Sequence, residues 1–305
     1  MHARKAKLKT HLVLVKQHVT PRRFLLLAAA ACSASLVLLT LRALHYSAAA
    51  SARAGGGGVD DSQYQQQQQV HDDCAKKKVV PDAVAQALVH YATSNDKPPP
   101  LTEAEASAAA RVLLQRAPCN LLVFGIDAGG PLWATLNHDG RTMFLDADAD
   151  RVAASARAAG LDIDAHHVAY YQDNATSLSD SDILALRDSP DCTSSPTLSP
   201  EHFDRSPCKL APGGLPATFF DVDWDVIVVN SPVPSAVYAA GVAARARRPE
   251  AGETTHVVVH GVDAASEERF VRAFLCEGYF KEEAGRTRHF DVPSRRDKDH
   301  MPFCP

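Results

Sequence analysis

The sequence lacks the fingerprints of several common chemistries. No cysteine pair has CxxC spacing, which removes a zinc ribbon and a thioredoxin motif. No GxSxG elbow presents a serine, so a hydrolase triad has no anchor. There is no P-loop and no GxGxxG, and a nicotinamide dinucleotide is therefore weakly supported. No period repeats along the chain, which argues against a solenoid. The net charge of −4 over 305 residues gives no overall nucleic-acid signature. Acidic side chains are missing from residues 1–23, which carry Arg4, Lys5, Lys7, Lys9, Lys16, Arg22 and Arg23. A basic tail of this kind contacts either RNA or anionic lipid, and the residues after it decide between them.

Those residues, 24–41, read FLLLAAAACSASLVLLTL, without charge or proline. In a helix the run is just long enough to cross the hydrocarbon layer, at about 1.5 Å per residue. The stronger positive cluster precedes it, so the tail is expected in the cytosol and the remainder in a lumen. A cleaved signal peptide is the alternative, with Ser47–Ala54 as a cleavage region. The long basic region and long apolar run favour a retained anchor, and both readings send the rest of the chain into the secretory pathway. Beyond Cys32 in the anchor, six cysteines (Cys74, Cys119, Cys192, Cys208, Cys276 and Cys304) permit three disulfides there, though spacing assigns no pairs. Some of these thiols would otherwise be buried and free. Asn174-Ala175-Thr176 is a glycosylation sequon. Residues 42–80, with Gly55–Gly58, Gln65–Gln69 and Lys76–Lys78, show no apolar periodicity and read as a flexible stem.

A folded domain is expected over 81–305, and its 46% hydrophobic content can supply a core. Val84, Leu88 and Tyr91 would share one face of a first helix. Thr102 and Glu105 form a capping box for a second, with Val112 and Leu113 as its apolar side, ending by Pro118. Strands are expected at 120–125, 141–146, 166–170, 224–229 and 255–260, with a late edge strand at 287–292. Helices fall between them: 131–137, one capped by Asp148 and stopped by Gly160, one from Tyr238 to Arg248, and one packing through Phe270, Val271, Phe274 and Leu275. Residues 188–216 form a long loop that a Cys192–Cys208 bridge would restrain. Strands alternating with helices imply a mostly parallel α/β sheet covered on both faces. Such sheets bind ligands beyond the carboxyl ends of their strands.

The candidate site residues lie at those ends. Gly125-Ile126-Asp127-Ala128-Gly129-Gly130 follows the first strand, where glycines let a ligand approach the backbone. Asp146 ends the second strand, about 20 residues on, placed to accept from ribose hydroxyls. That suits the nucleoside half of S-adenosylmethionine as well as a dinucleotide, or else a tight turn with a capping acid. Asp173 reads as a solvated loop acid, with an adenine contact as the sharper alternative. His260 is either a general base or a satisfied structural histidine. His166 and His167 point to opposite faces, which argues against a shared metal, and no metal site is expected. Arg245, Arg247 and Arg248 read as a solvated face or dipole partners, with an anionic polysaccharide as the sharper option.

Ten segments in order, ALVHYATSN (87–95), RAPCNLLVFG (116–125), LWATLN (132–137), FLDAD (144–148), AHHVAY (165–170), WDVIVV (224–229), YAAGVAARARR (238–248), THVVVH (255–260), FLC (274–276) and FC (303–304), carry a resemblance. The chain resembles the plant polysaccharide-biosynthesis family of glucuronoxylan 4-O-methyltransferases and irregular-xylem-fifteen proteins. It looks closer to a divergent member of the second branch. The resemblance implies an S-adenosylmethionine-methyltransferase-like, Rossmann-like domain in the Golgi lumen, behind a type II membrane anchor. It implies a role in secondary-wall xylan, with xylan or glucuronoxylan and other xylan-synthesis proteins as partners, and no nucleic acid. By position, Gly125, Asp127, Gly129, Gly130 and Asp146 fall at the cofactor site, Asp146 replacing the family's usual Glu. The family's Asp-Gly-Pro after the fourth strand reads Asn230-Ser231-Pro232 here. Its longer Pro-Gly-Arg-Met loop shrinks to Val233-Pro234-Ser235, its His-Asp reads His260-Gly261, and its Gly-Leu-Gly-His-Asp loop reads Gly125-Ile126-Asp127-Ala128-Gly129. Losing a carboxylate at Asn230 removes a base or metal ligand. These departures favour a non-catalytic factor. A glucuronoxylan 4-O-methyltransferase would need His260 or Asp263 as its base.

Overall fold

The computed structural model describes residues 80–94, 101–127, 129–155, 163–170, 179–193, 203, 205–251, 254–295 and 303–304. The basic tail, the expected anchor and stem up to residue 79, Cys74, Gly160, Asp173 and the Asn174 sequon lie outside them. Among the described residues no helix is long and apolar enough to cross a membrane.

The elements run α1 (Asp82–Ser94), α2 (Glu103–Leu114), β1 (Asn120–Phe124), α3 (Gly130–Leu136), β2 (Arg141–Asp146), α4 (Ala149–Ser155), β3 (Asp164–His167), α5 (Asp180–Leu186), α6 (Pro190–Thr193), α7 (Ala217–Asp221), β4 (Val226–Val229), α8 (Pro234–Arg245), β5 (Thr254–Val259), α9 (Ala265–Leu275), β6 (Phe280–Ala284) and β7 (Thr287–Pro293). The seven strands form one sheet in the order β3-β2-β1-β4-β5-β7-β6. The first five are parallel, and β7 enters antiparallel between β5 and β6. This mixed α/β arrangement is consistent with a Rossmann-like methyltransferase fold.

The parallel strands are buried on both faces, and side-chain alternation divides them between two cores. Leu122, Phe124, Met143, Leu145, Ile227 and Val229 face one core together with α8 and α9. Leu121, Val123, Phe144, Val226 and Val228 face the other, with α1, α2 and α3. The strand order reverses at β1, whose neighbours are β2 and β4, so the switch point lies between β1 and β4.

Several expectations need correction. In α1 the buried residues are Ala85 and Val89, while Val84 is 48% and Tyr91 68% exposed. Small Ala85 lets the helix lie close, and the inward stripe is rotated from the expected face. The late strand at 287–293 is interior. The edge is β6, whose Lys281, Glu282 and Glu283 are exposed, a charged edge that discourages further pairing. The third strand spans 164–167, and Ala169 makes only an isolated bridge to Gly213. α8 stops at Arg245, not Arg248.

Arg245 and Arg247 are not solvated: they are 4% and 3% exposed. Arg245 donates to the carbonyls of Gly241 at 2.8 Å and Phe274 at 3.1 Å, beneath the Phe303 ring. Burial pushes its pKa down to about 9. Arg247 donates to Trp224 O and Asp225 Oδ1, both at 2.7 Å, and to Ala251 O. Asp225 Oδ2 in turn accepts from the Asn120 N–H at 2.8 Å, so one ion pair ties the starts of β1 and β4 to the end of α8.

The bridge Cys192–Cys208 spans the long loop as expected, and Cys276–Cys304 fastens the chain end to α9. Cys119 is a free, buried thiol whose pKa burial raises to about 12. The capping box of α2 is present: Glu105 N–H donates to Thr102 Oγ1 and Thr102 N–H to Glu105 Oε2. Glu105, 1% exposed, also accepts from the Arg286 N–H at 2.6 Å, which joins α2 to the β6–β7 turn.

Candidate functional site

The tips of β1 and β2 are neighbours, with Phe124 paired to Leu145 in parallel register. Beyond them Gly125 turns at φ +90°, in the left-handed region that glycine adopts without penalty. A Cβ there would stand 3.3 Å from Asn230 Cβ, so the backbone also has to be bare on that side. Asn230, at the tip of β4, donates from Nδ2 to Gly125 O at 2.6 Å. Its Oδ1 is buried without a partner among the described atoms, an acceptor held ready at the edge.

Asp146 binds the other side of the same turn. Its Oδ2 accepts from the Ile126 N–H at 2.6 Å, and its Oδ1 from the Asp148 N–H at 2.7 Å and Arg151 Nη2 at 2.9 Å. The residue is 2% exposed. It therefore acts first as a brace for the loop, and a ribose hydroxyl would have to use a remaining lone pair. Asp127 folds back on its own turn, with Oδ1 accepting from the Gly129 N–H at 2.9 Å. Burial raises its pKa, against the pull of those N–H groups. Gly129 and Gly130 are buried against Trp133 and Phe144 respectively. The turn at the tips of β1, β2 and β4 thus carries a left-handed glycine, one fixed carboxylate and one orphaned amide oxygen. Asn230 Oδ1 is an unused acceptor of the kind that an ammonium donor takes, which suits the S-adenosylmethionine that the sequence suggests.

The family model described as IRX15/IRX15L/GXM matches residues 104–290, from α2 into β7. This chain belongs to that family. It is 40% identical over 235 residues to glucuronoxylan 4-O-methyltransferase 3 of Arabidopsis thaliana, covering 74% of each protein. To arabinogalactan O-methyltransferase 2 of the same plant it is 35% identical, over 72% of this chain and 77% of the relative. To the protein IRREGULAR XYLEM 15, also from Arabidopsis thaliana, it is 32% identical, over 73% and 70%. Identity is higher to the named methyltransferases than to IRREGULAR XYLEM 15, whereas the residue changes at the sheet edge had set the chain nearer the latter.

Of the remaining candidates, His260 lies beside the tip of β4, its N–H donating to Val229 O at 2.8 Å. His260 follows β5 and is 1% exposed, its ring stacked on Trp133 at 5.7 Å between centroids. Its Nδ1 meets Thr287 Oγ1 at 2.7 Å, while Nε2 is buried without a partner among the described atoms. Gly261 turns at φ +74°, where a Cβ would pack 3.6 Å from Pro232 Cδ. Glycine in place of the family's Asp therefore suits a left-handed turn against the shortened loop. Asp263 is exposed, and its carboxylate faces Arg286 Nη1 at 3.5 Å. Trp133 and Thr287 were missed as site neighbours, since a tryptophan in a short helix reads as plain core. His166 bonds Asp164 at 2.7 Å and His167 bonds Ala147 O at 3.1 Å, so the two rings turn to different partners.

Burial lowers the pKa of His260 to about 4, and that of His256 likewise to about 4. The unfolded chain then binds protons that the folded chain refuses, so this contribution is complete above the ordinary histidine range and is lost as pH falls toward 4. Urea titrations should show the domain losing at most about 1.8 kcal/mol per such histidine between about pH 7 and pH 5. His260→Asn should flatten that slope. An unchanged slope in the variant would show that His260 is charged or exposed in the folded protein.

Proposed function

We propose that this chain serves secondary-wall xylan biosynthesis as a methyltransferase-like factor, its domain in the Golgi lumen behind an N-terminal type II anchor. A crevice there holds S-adenosylmethionine between Gly125, Asp127, Asp146 and Asn230, with the bare Gly125 giving close backbone approach and the buried Gly129 and Gly130 letting the loop pack on Trp133 and Phe144. The cofactor would supply an electrophilic methyl group when bound. A sugar hydroxyl that accepts it must lose a proton to a nearby base. The observation that carries the non-catalytic reading is the state of the residues at the strand tips. Asn230 has no basic atom, Asp146 is committed to the loop, and His260 is enclosed. The domain would then act by holding xylan and other xylan-synthesis proteins.

A second reading has its own support. The 40% identity to a relative named glucuronoxylan 4-O-methyltransferase 3 favours a working methyltransferase that acts on glucuronic acid side groups. The two readings separate in one experiment on the full chain solubilised in detergent. Calorimetry with S-adenosylmethionine should give binding. Incubation with the cofactor and glucuronoxylan oligomers should give no methylated product. Turnover by the wild type, lost in Asp146→Ala, would establish the enzyme reading, and absence of cofactor binding would sink the enzyme reading and the cofactor site together.

A further inference from the structure

A cavity of about 320 Å³ lies just beyond β4 and β5, between residues 231–234, the start of α5 and the first turn of α9. It adjoins the candidate crevice, because Ser231 follows Asn230 directly in the chain. Its volume is near the lower end for small-molecule pockets, the size of one sugar ring and not of a long chain segment. Pro232 and Phe270 give it apolar surface for the C–H face of a ring.

The polar groups are of one kind. Asp180 and Glu267 bring two carboxylates, Ser231 and Ser266 two hydroxyls, and among the described residues no lysine or arginine lines the cavity. Glu267 uses Oε2 to accept from the N–H groups of Asp263 and Ala264, both at 2.8 Å, which fixes the carboxylate in place. Ionised carboxylates only accept hydrogen bonds, so they select ligands rich in O–H donors. A uronic acid would place a third negative charge beside two others without compensation.

Building on the polysaccharide reading above, we propose that this cavity is a sugar subsite for a neutral pyranose of the uncharged xylan backbone, and that it discriminates against a uronic acid unit. The full chain in detergent would be titrated with linear xylohexaose and with the same oligomer carrying one glucuronic acid branch. S-adenosylmethionine would be titrated on the same samples. The neutral oligomer should bind about fivefold tighter at low salt, with the gap narrowing as salt screens the charges. Asp180→Lys should close or reverse the gap, and Asp180→Asn should reduce it. Asp180 is exposed, so neither change threatens the fold. Equal or tighter binding of the acidic oligomer by the wild type would overturn the proposal, as would a ratio unmoved by Asp180→Lys. If neither oligomer binds while S-adenosylmethionine does, the subsite fails and the cofactor reading stands. If the neutral oligomer binds as described and the cofactor does not, the subsite stands and the cofactor reading fails.

Discussion

Arg247→Met should lower the free energy of unfolding by about 3–5 kcal/mol, measured by urea denaturation at neutral pH. The side chain is 3% exposed, and methionine fills much of its volume, so lost packing is a small part of the effect. What is lost is the partner of Asp225 and a donor to two carbonyls. Asp225 would keep only the Asn120 N–H, with its other oxygen still largely enclosed. Arg248→Met is the natural control. Arg248 pairs with Asp223 from a position 54% exposed, where ion pairs contribute about 1 kcal/mol or less. Similar losses in both variants would mean that the Arg247 pair is solvated and is not the brace described.

The second large effect is expected at Asp146. Asp146→Asn keeps size and shape but replaces one acceptor oxygen with an N–H donor. That donor must then face either the Ile126 N–H or the pair formed by the Asp148 N–H and Arg151. Each charge-assisted bond of this kind contributes about 1.5–3 kcal/mol, so the Gly125–Ile126 turn should loosen. Calorimetry should show S-adenosylmethionine affinity falling by about a hundredfold or more, while the far-UV spectrum keeps its α/β shape. Affinity within a few-fold of wild type would remove Asp146 from the cofactor site. Asp146→Glu, the residue usual in the family, is expected to recover much of the loss.

The parallel sheet was legible in the sequence because its strands are apolar runs bounded by turn residues. Asn120–Phe124 and Arg141–Asp146 stand where expected, and Thr254–Val259 is within a residue. Strand β6 was not legible. Phe-Lys-Glu-Glu-Ala reads as a charged loop, and only pairing with β7 makes it a strand. The arginines after Tyr238 misled for a related reason. A charged residue near a helix end normally faces water, but α8 is enclosed between β4, β5 and α9, and its last turn is buried with the rest. At the site, position along a strand brought Gly125, Asp146 and Asn230 together correctly. It could not foresee that Asp146 would be consumed by the loop or that His260 would be sealed under Trp133. The Asp146 bonds reach only 2 to 20 residues but need the exact turn after β1, and the His260 stack joins Trp133 from a distant part of the chain, neither of which strand periodicity encodes.

The grip of Glu105 on Arg286 joins residues 181 positions apart. Synthesis from the amino end delivers that arginine, and the β7 strand beside it, long after α2. The outer side of β5 therefore stays unpaired until the β6–β7 hairpin arrives, and a chain cut short within β6 would retain the whole turn from Gly125 to Gly130 yet leave Glu105 and β5 without their partners.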